Sequence, residues 1–344
     1  MPPARRLVAF LRQYGKTLRG LLIFTHDHPD PDAIASAFAL GYLAKTIAGL
    51  PSRIVYRGAM GRTENRVMVR LLKIPMHLFK NPKDLKRFPT WAMVDTQPGF
   101  GNNPLSGSQS VSLVVDHHPP SAGSKQARCA VIVPKVGATS VILAQALLAV
   151  RCPIPRPLAT ALVYGILSET QNFARQTQDL EIRTYHKILP LCDLRLLALI
   201  QNPQKPKAFF LTIRRCLENA FSVGPFIGAH LGWVKTPELV AQTADFLLTL
   251  EGMKWSVCTG RYRNRLHISL RAIRPGLHAG HLLQRVLKES HRAGGHWTMA
   301  GGSIPVPAHG GPDGWKALEE RLVEDLRTHL LKGRKVPVRF PFRA

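Results

Sequence analysis

Short apolar runs that alternate with helix-length stretches constrain the first half of this chain more than any other feature. Residues 21–25, 53–56, 91–94 and 111–115 are brief and mostly apolar, the pattern of strands buried in a sheet. Residues 33–47 fit a helix, and 138–149 and 158–167 fit apolar, core-facing helices. Strands alternating with helices predict an α/β fold whose first sheet is mostly parallel and flanked by helices.

The chain has 344 residues, enough for two domains that each bury a core. Asn-Pro-Gln-Lys-Pro-Lys at 202–207 breaks the helical pattern with two prolines in four residues. The reading is therefore a first domain over 1–202, a linker over 203–222 with a connecting helix at 208–220, and a smaller α/β domain over 223–332. In that second domain we expect a strand at 227–234, a helix at 237–250, paired strands at 255–259 and 265–270, a glycine-rich turn, a strand, and a last helix at 315–331. The basic tail, 333–344, is expected to be extended or frayed. No apolar run reaches the ~18 residues needed to cross a bilayer, and no leader with a cleavage site is evident, so the expected location is the cytoplasm, away from membranes. Five widely spaced cysteines without a Cys-x-x-Cys pair read as ordinary core thiols.

The charge is unusual. There are 47 Lys and Arg against 21 Asp and Glu, a net +26, which suits a phosphate-rich partner. Residues 254–288 include Arg261, Arg263, Arg265, Arg271 and Arg274 and no acid at all.

Where acids are scarce, their positions carry information. In the first 63 residues the only ones are Asp27, Asp30 and Asp32, within Thr-His-Asp-His-Pro-Asp-Pro-Asp directly after a predicted strand. Between Leu85 and Ser168 there are only Asp95 and Asp116, each closing a predicted strand, and then Glu169 follows a predicted helix. Like charges converging with His26, His28, His117 and His118 at strand ends need a cation among them. Oxygen and imidazole donors without thiolate suit Mn²⁺ or a similar divalent ion. The donors outnumber the needs of one ion, and two ions ~3.5–4 Å apart activate water and stabilise phosphoryl transfer.

His26-Asp27-His28-Pro29-Asp30-Pro31-Asp32, Val94-Asp95-Thr96 and Val115-Asp116-His117-His118-Pro119 resemble the first three motifs of the DHH phosphoesterase family. Gly165-Ile166-Leu167-Ser168-Glu169-Thr170 stands in the place of the fourth, and Ser269-Leu270-Arg271, Gly294-Gly295-His296 and Ala300-Gly301-Gly302 resemble the DHH-associated carboxy-terminal domain. The resemblance implies two divalent ions, most simply Mn²⁺. His26, Asp30 and Asp95 would hold one, and Asp32, Asp95, His117 and Glu169 the other, with Asp95 as the bridge. Asp116 would orient its neighbouring histidine and His118 would face the substrate phosphate, so Asp95, Asp116, His117 and His118 form the implied catalytic set. Arg271, Gly294, Gly295 and His296 would grip the substrate from the second domain, across a cleft. Two positions depart from the family pattern: Glu169 replaces a commoner Asp, and Ala35 stands where Gly is frequent.

The implied activity is hydrolysis of short single-stranded RNA or DNA, as in nanoRNase-type oligoribonucleases, or of nucleotide phosphates such as 3′-phosphoadenosine 5′-phosphate. A cyclic-dinucleotide phosphodiesterase is an alternative inside the class, and a non-catalytic or weakly active nucleic-acid-binding protein an alternative outside it. Length argues against the RecJ type, and Gly294-Gly295-His296 against an inorganic pyrophosphatase. The basic surface leaves room for wider nucleic-acid contact, and nothing in the sequence decides for or against a homodimer.

Overall fold

A computed structural model describes residues 2–58, 60–80, 88–105, 110–175, 177–273, 278–288, 293–295, 297–306, 311–331, 334 and 336–343. The chain divides into two units, Met1–Pro203 and Gln204–Ala344.

In the first unit the strands are β1 (Leu21–Phe24), β2 (Ser52–Tyr56), β3 (Met76–Leu78), β4 (Thr90–Val94), β5 (Leu113–Asp116) and β6 (Cys129–Ile132). They lie in the order β3-β2-β1-β4-β5-β6, and every pairing is parallel. Burial on both faces explains why these strands lack a polar alternation: Leu21 and Ile23 enter one core, Leu22 and Phe24 the other. The strand order reverses between β1 and β4. In open parallel sheets that reversal opens a crevice at the carboxyl ends of the strands.

The helices of this unit are α1 (Pro3–Tyr14), α2 (Pro31–Ala48), α3 (Thr63–Leu71), α4 (Thr139–Ala149), α5 (Arg156–Glu169), α6 (Asp179–Ile188) and α7 (Leu194–Gln201). Helix α2 starts two residues ahead of the predicted 33–47, because Asp30 caps it by accepting the Ala33 N–H at 3.0 Å and Pro31 fits the first turn. Helices α2, α4 and α5 are buried along most of their length and pack on one another. Gly165 makes the α2–α5 approach possible: a Cβ there would lie 3.0 Å from Ala35 Cβ, 3.1 Å from Ser140 Oγ and 3.2 Å from the Pro31 carbonyl.

The second unit opens with α8 (Lys207–Glu218) and continues through β7 (Ala220–Val223), β8 (Phe226–Trp233), α9 (Glu238–Leu247), β9 (Trp255–Tyr262), β10 (Arg265–Ala272), α10 (Ala279–Leu287), β11 (Ala293–Gly295), β12 (Met299–Pro305) and α11 (Gly311–Leu331). Its sheet runs β11-β12-β10-β9-β8-β7, antiparallel except for the parallel β8–β9 pair. Residues 220–222, read from sequence as the end of a connecting helix and its linker, instead belong to strand β7. In the tail Arg339 and Ser222 exchange backbone hydrogen bonds of 2.8 and 2.9 Å, and Val336 packs against the core of the unit. Among the described residues no helix is long and apolar enough to cross a membrane, and Cys129, Cys216 and Cys258 are buried thiols.

Because Gly165 has no room for a branched side chain, Gly165→Val should lower unfolding stability by ~1–3 kcal/mol through overpacking. Chemical denaturation followed by circular dichroism measures this, and an unchanged midpoint would show that the α2–α5 contact is not tight.

Candidate metal centre

His26 follows β1 and sits four residues ahead of the α2 cap. Its Nδ1 donates to the Asp27 carbonyl at 2.8 Å, which leaves Nε2 to face the carboxylates. That Nε2 lies 3.7 Å from Asp30 Oδ1 and 3.6 Å from Asp95 Oδ2. Asp95 follows β4 in the left-handed conformation, φ +57°, and its N–H bonds the Val115 carbonyl at 3.1 Å. Aspartate is among the few side chains that tolerate this backbone. While Oδ2 faces His26, Oδ1 accepts the Thr139 hydroxyl at 2.9 Å and lies 3.6 Å from His117 Nε2. Asp95 thus divides its two oxygens between two donor groups, His26–Asp30–Asp95 and Asp95–His117–His118, in each of which the candidate ligand atoms lie within 4.8 Å of one another.

His117 supplies the clearest sign of what the site fits. Its Nδ1 donates to the Val136 carbonyl at 3.1 Å, and its Nε2 is buried with no hydrogen-bond partner. When the ring is neutral, that nitrogen sets a buried lone pair against a carboxylate oxygen at 3.6 Å, two acceptors opposed, an arrangement that a divalent cation or a proton relieves. His118 differs. Its Nδ1 is bonded to Asp116 Oδ1 at 2.8 Å and its backbone N–H to the same oxygen at 3.0 Å. Asp116 therefore reaches past its immediate neighbour, His117, and orients His118.

Asp32 is buried at the amino end of α4, where Oδ2 accepts the Thr139 N–H at 2.7 Å and Oδ1 the Ser140 N–H at 2.8 Å. It joins neither donor group, but each oxygen keeps a second lone pair. Glu169 ends α5 and meets Arg175 at 3.5 Å, across a turn in which Gln171, Asn172 and Phe173 are all left-handed. Asp27 turns to Arg57, with contacts of 2.9 and 2.5 Å, and the His28 ring packs against Gly58.

These neighbours set the protonation. Burial, then the charges of Asp95, Asp30 and Glu169, push Asp32 well above the usual carboxylate range. Burial, then the charges of Asp30 and Asp95, push Glu169 up to about 8. Burial would also raise Asp95, but contact with His26 and the charges of His117 and His118 hold it below the ordinary range. Although burial disfavours their cations, His26 is lifted well above its usual value by Asp30 and Asp95, and His118 to about 9 by Asp116 and Asp95. Burial and neighbouring carboxylates thus favour the protonated forms of Asp32 and Glu169, whereas Asp95 is held toward its ionised form.

The sequence did not single out Gln97, Thr139, Ser140, Arg175 or Arg57. Gln97 wires the site by donating to Asp116 Oδ2 at 2.8 Å and to the Pro119 carbonyl at 3.1 Å, while its Oε1 accepts the Ser121 N–H at 2.7 Å. A polar Thr139-Ser140 pair opening an otherwise apolar helix was the available signal for the amides that hold Asp32.

In the second unit Arg271 is 8% exposed and already engaged: Nε donates to Asp245 at 2.5 Å, and Nη1 to the Leu270 and Ala300 carbonyls at 3.0 and 3.2 Å. Gly294 pairs with Gly301, which pairs in turn with Ser269, whose buried Oγ has no partner. Gly295 has φ +150°, and a Cβ would fall 2.2 Å from the Met299 carbonyl. His296 lies outside the described residues.

The uncharacterized protein MJ1633 of Methanocaldococcus jannaschii is 33% identical over 313 residues, 91% of this chain and 63% of that protein. A probable manganese-dependent inorganic pyrophosphatase of Streptococcus equi subsp. zooepidemicus is 27% identical over 152 residues, 44% of this chain and 48% of that protein. The chain therefore spans between about half and two thirds of the length of these curated relatives. Among solved structures, an exopolyphosphatase-related protein from Bacteroides fragilis aligns with a TM-score of 0.73 at 15% identity, over 95% of this chain and 98% of that one. Exonuclease RecJ bound to manganese aligns with a TM-score of 0.52 at 14% identity, over 95% of each. These likenesses show a shared fold. Residues 20–166, from just before β1 through most of α5, match the DHH family, N-terminal domain.

Proposed function

We propose that this protein is a two-metal phosphoesterase, with Mn²⁺ as the natural ion, that hydrolyses short oligonucleotides or nucleotide phosphates. The observation that carries the reading is Asp95, whose two oxygens face two donor groups, one of them containing the unpartnered His117 Nε2. His26, Asp30 and Asp95 hold one ion, and Asp32, Asp95, His117 and Glu169 the other. Once bound, such a pair activates water and offsets charge developing on a phosphoryl group. His118, raised to about 9 by its Asp116 bond, is cationic at neutral pH and offers a donor to a substrate phosphate. In this reading Gly294, Gly295, His296 and Arg271 of the second unit serve as nucleotide contacts, glycine allowing a backbone amide to approach an anion closely.

A second reading is cleavage of inorganic pyrophosphate, because the Streptococcus relative bears that name. A panel of di- to pentanucleotides, 3′-phosphoadenosine 5′-phosphate, a cyclic dinucleotide and pyrophosphate, each with Mn²⁺ or with EDTA, separates the two. We expect Mn²⁺-dependent release of mononucleotides or phosphate from the nucleotide substrates. Cleavage of pyrophosphate alone transfers the assignment to the second reading, and no cleavage by folded protein leaves a binding protein.

Asp95→Ala should bring turnover to background while oligonucleotide binding persists; retained turnover would refute the bridging role. Mn²⁺ should also raise the thermal midpoint of the wild type, by the equivalent of ~2.7 kcal/mol at a hundred times Kd, and leave that of Asp95→Ala nearly unchanged.

Metal loading must displace protons from His26, Asp32 and Glu169. Below about 8 Glu169 is mostly protonated, so a proton competes with the ion. Apparent Mn²⁺ affinity should therefore rise with pH and level off above about 8. Calorimetry in buffers of different ionisation enthalpy counts the released protons, and a pH-independent affinity with no release would contradict this ligand set.

A further inference from the structure

The second sheet has a built cavity on the face turned away from Arg271. Ser256 pairs with Arg271 and Cys258 with Ser269, whereas Thr259 pairs with Ile268 and Arg261 with Leu266. Thr259 and Arg261 therefore share the face of the Leu266–Ile268 core, and the Arg271–Gly301 row lies on the other. On the Arg261 face opens a cavity of about 630 Å³.

Its floor is a β-bulge. The β8–β9 register slips between His230 and Trp233, and Gly232 takes the left-handed backbone there, φ +64°. The carbonyls loosened by the slip are capped from α8, His230 by Asn219 Nδ2 at 3.1 Å and Trp233 by Arg215 Nη1 at 2.9 Å. Trp233 is left 58% exposed, its ring 5.8 Å from that of Trp315 on α11. The opposite rim is the carboxy-terminal segment pinned at Arg339, which brings Phe340 with the Arg343 guanidinium 4.1 Å over its ring.

The one carboxylate lining the cavity is already answered. Glu319 accepts the Thr259 hydroxyl at 2.9 Å and Arg261 Nη2 at 3.0 Å. Since the Thr259 proton is used there, His230 must donate from Nδ1 to Thr259 Oγ1 at 2.8 Å, which leaves its Nε2 an acceptor. Lys316 meets only the exposed Glu320, at 3.9 Å, and among the described residues no ion pair reaches Arg215 or Arg343. The Arg261 Nε is buried without a partner.

We propose that this cavity binds a nucleotide unit of a single-stranded nucleic acid, with its base on Trp233 and Phe340 and its phosphates on Arg215, Lys316 and Arg343. The volume falls within the ~300–1,000 Å³ of sites that enclose a small organic ligand and exceeds what a bare phosphate needs. Exposed aromatic faces take any base by stacking, and surplus cations take the backbone, which is the chemistry of sequence-tolerant single-strand binding. The net charge of +26 favours the same class of partner. None of these residues belongs to the first unit, so the site does not rest on the phosphoesterase reading.

The test uses the full chain in EDTA, where no hydrolysis interferes, with fluorescein-labelled ten-nucleotide single strands followed by anisotropy. Trp233→Ala and Arg343→Gln, both at exposed positions and checked for native circular dichroism, should each weaken binding about tenfold. Strands carrying 5-iodouracil should cross-link to Trp233 or Phe340. Unchanged affinity in both variants, or cross-links that all fall elsewhere, overturns the proposal. Free AMP should compete only weakly; if it binds as tightly as the strand, the ligand is a mononucleotide and the strand assignment fails.

Discussion

Electrostatic repulsion among Asp30, Asp32, Asp95 and Glu169 governs the first unit, since each of the two most strongly raised acids is raised by its neighbours as well as by burial. Two unit charges 4 Å apart interact by ~4 kcal/mol at an effective dielectric of 20, so the buried Asp32 and Asp95 with the partly exposed Asp30 and Glu169 are not all ionised without help. The fold supplies part of that help. The Ala33 amide serves Asp30, the first amides of α4 serve Asp32, and Thr139 serves Asp95. What remains uncompensated falls on Asp32 and Glu169, whereas Asp95 lies between His26 and His117, imidazoles whose Nδ1 atoms are tied to backbone carbonyls.

This gathering of charge is possible because the polar groups of β1, β4 and β5 sit at or just beyond the strand ends. Leu21 to Phe24 and Leu113 to Val115 are buried on both faces, so the sheet tolerates functional groups where its strands stop. The pairing of β1 with β4 at the reversal of strand order brings the His26 loop beside Asp95, and the parallel β4–β5 pair adds His117. Helix packing completes the ring: Gly165 lets α5 lie against α2 and the Ser140 end of α4, which places Glu169 within reach of the charges of Asp30 and Asp95.

The second unit separates two chemistries by the period of its strands. One face carries Arg271 locked to Asp245 beside a row of glycines; the other carries a bulge, exposed aromatics and cations that exceed the single carboxylate. A one-residue slip at Gly232 is enough to aim Trp233 outward, because adjacent strand positions face opposite sides.

Much of this was legible in one dimension. Apolar runs ending in Asp95 and Asp116 determined parallel strands with acids at their carboxyl ends, and scarcity of acid elsewhere determined that a cation was expected among them. Strand β7 was missed because four residues carry too little periodicity to be told from the end of a helix. Only the tertiary structure decided which atoms meet. Asp116 orients His118, His117 turns to Val136, Asp32 is held by amides 107 and 108 residues away, and Arg271 is spent on Asp245. The physical reason is that residue type determines what a side chain can bond, whereas the partner it finds depends on strand order, helix approach and register, which arise only when distant segments pack.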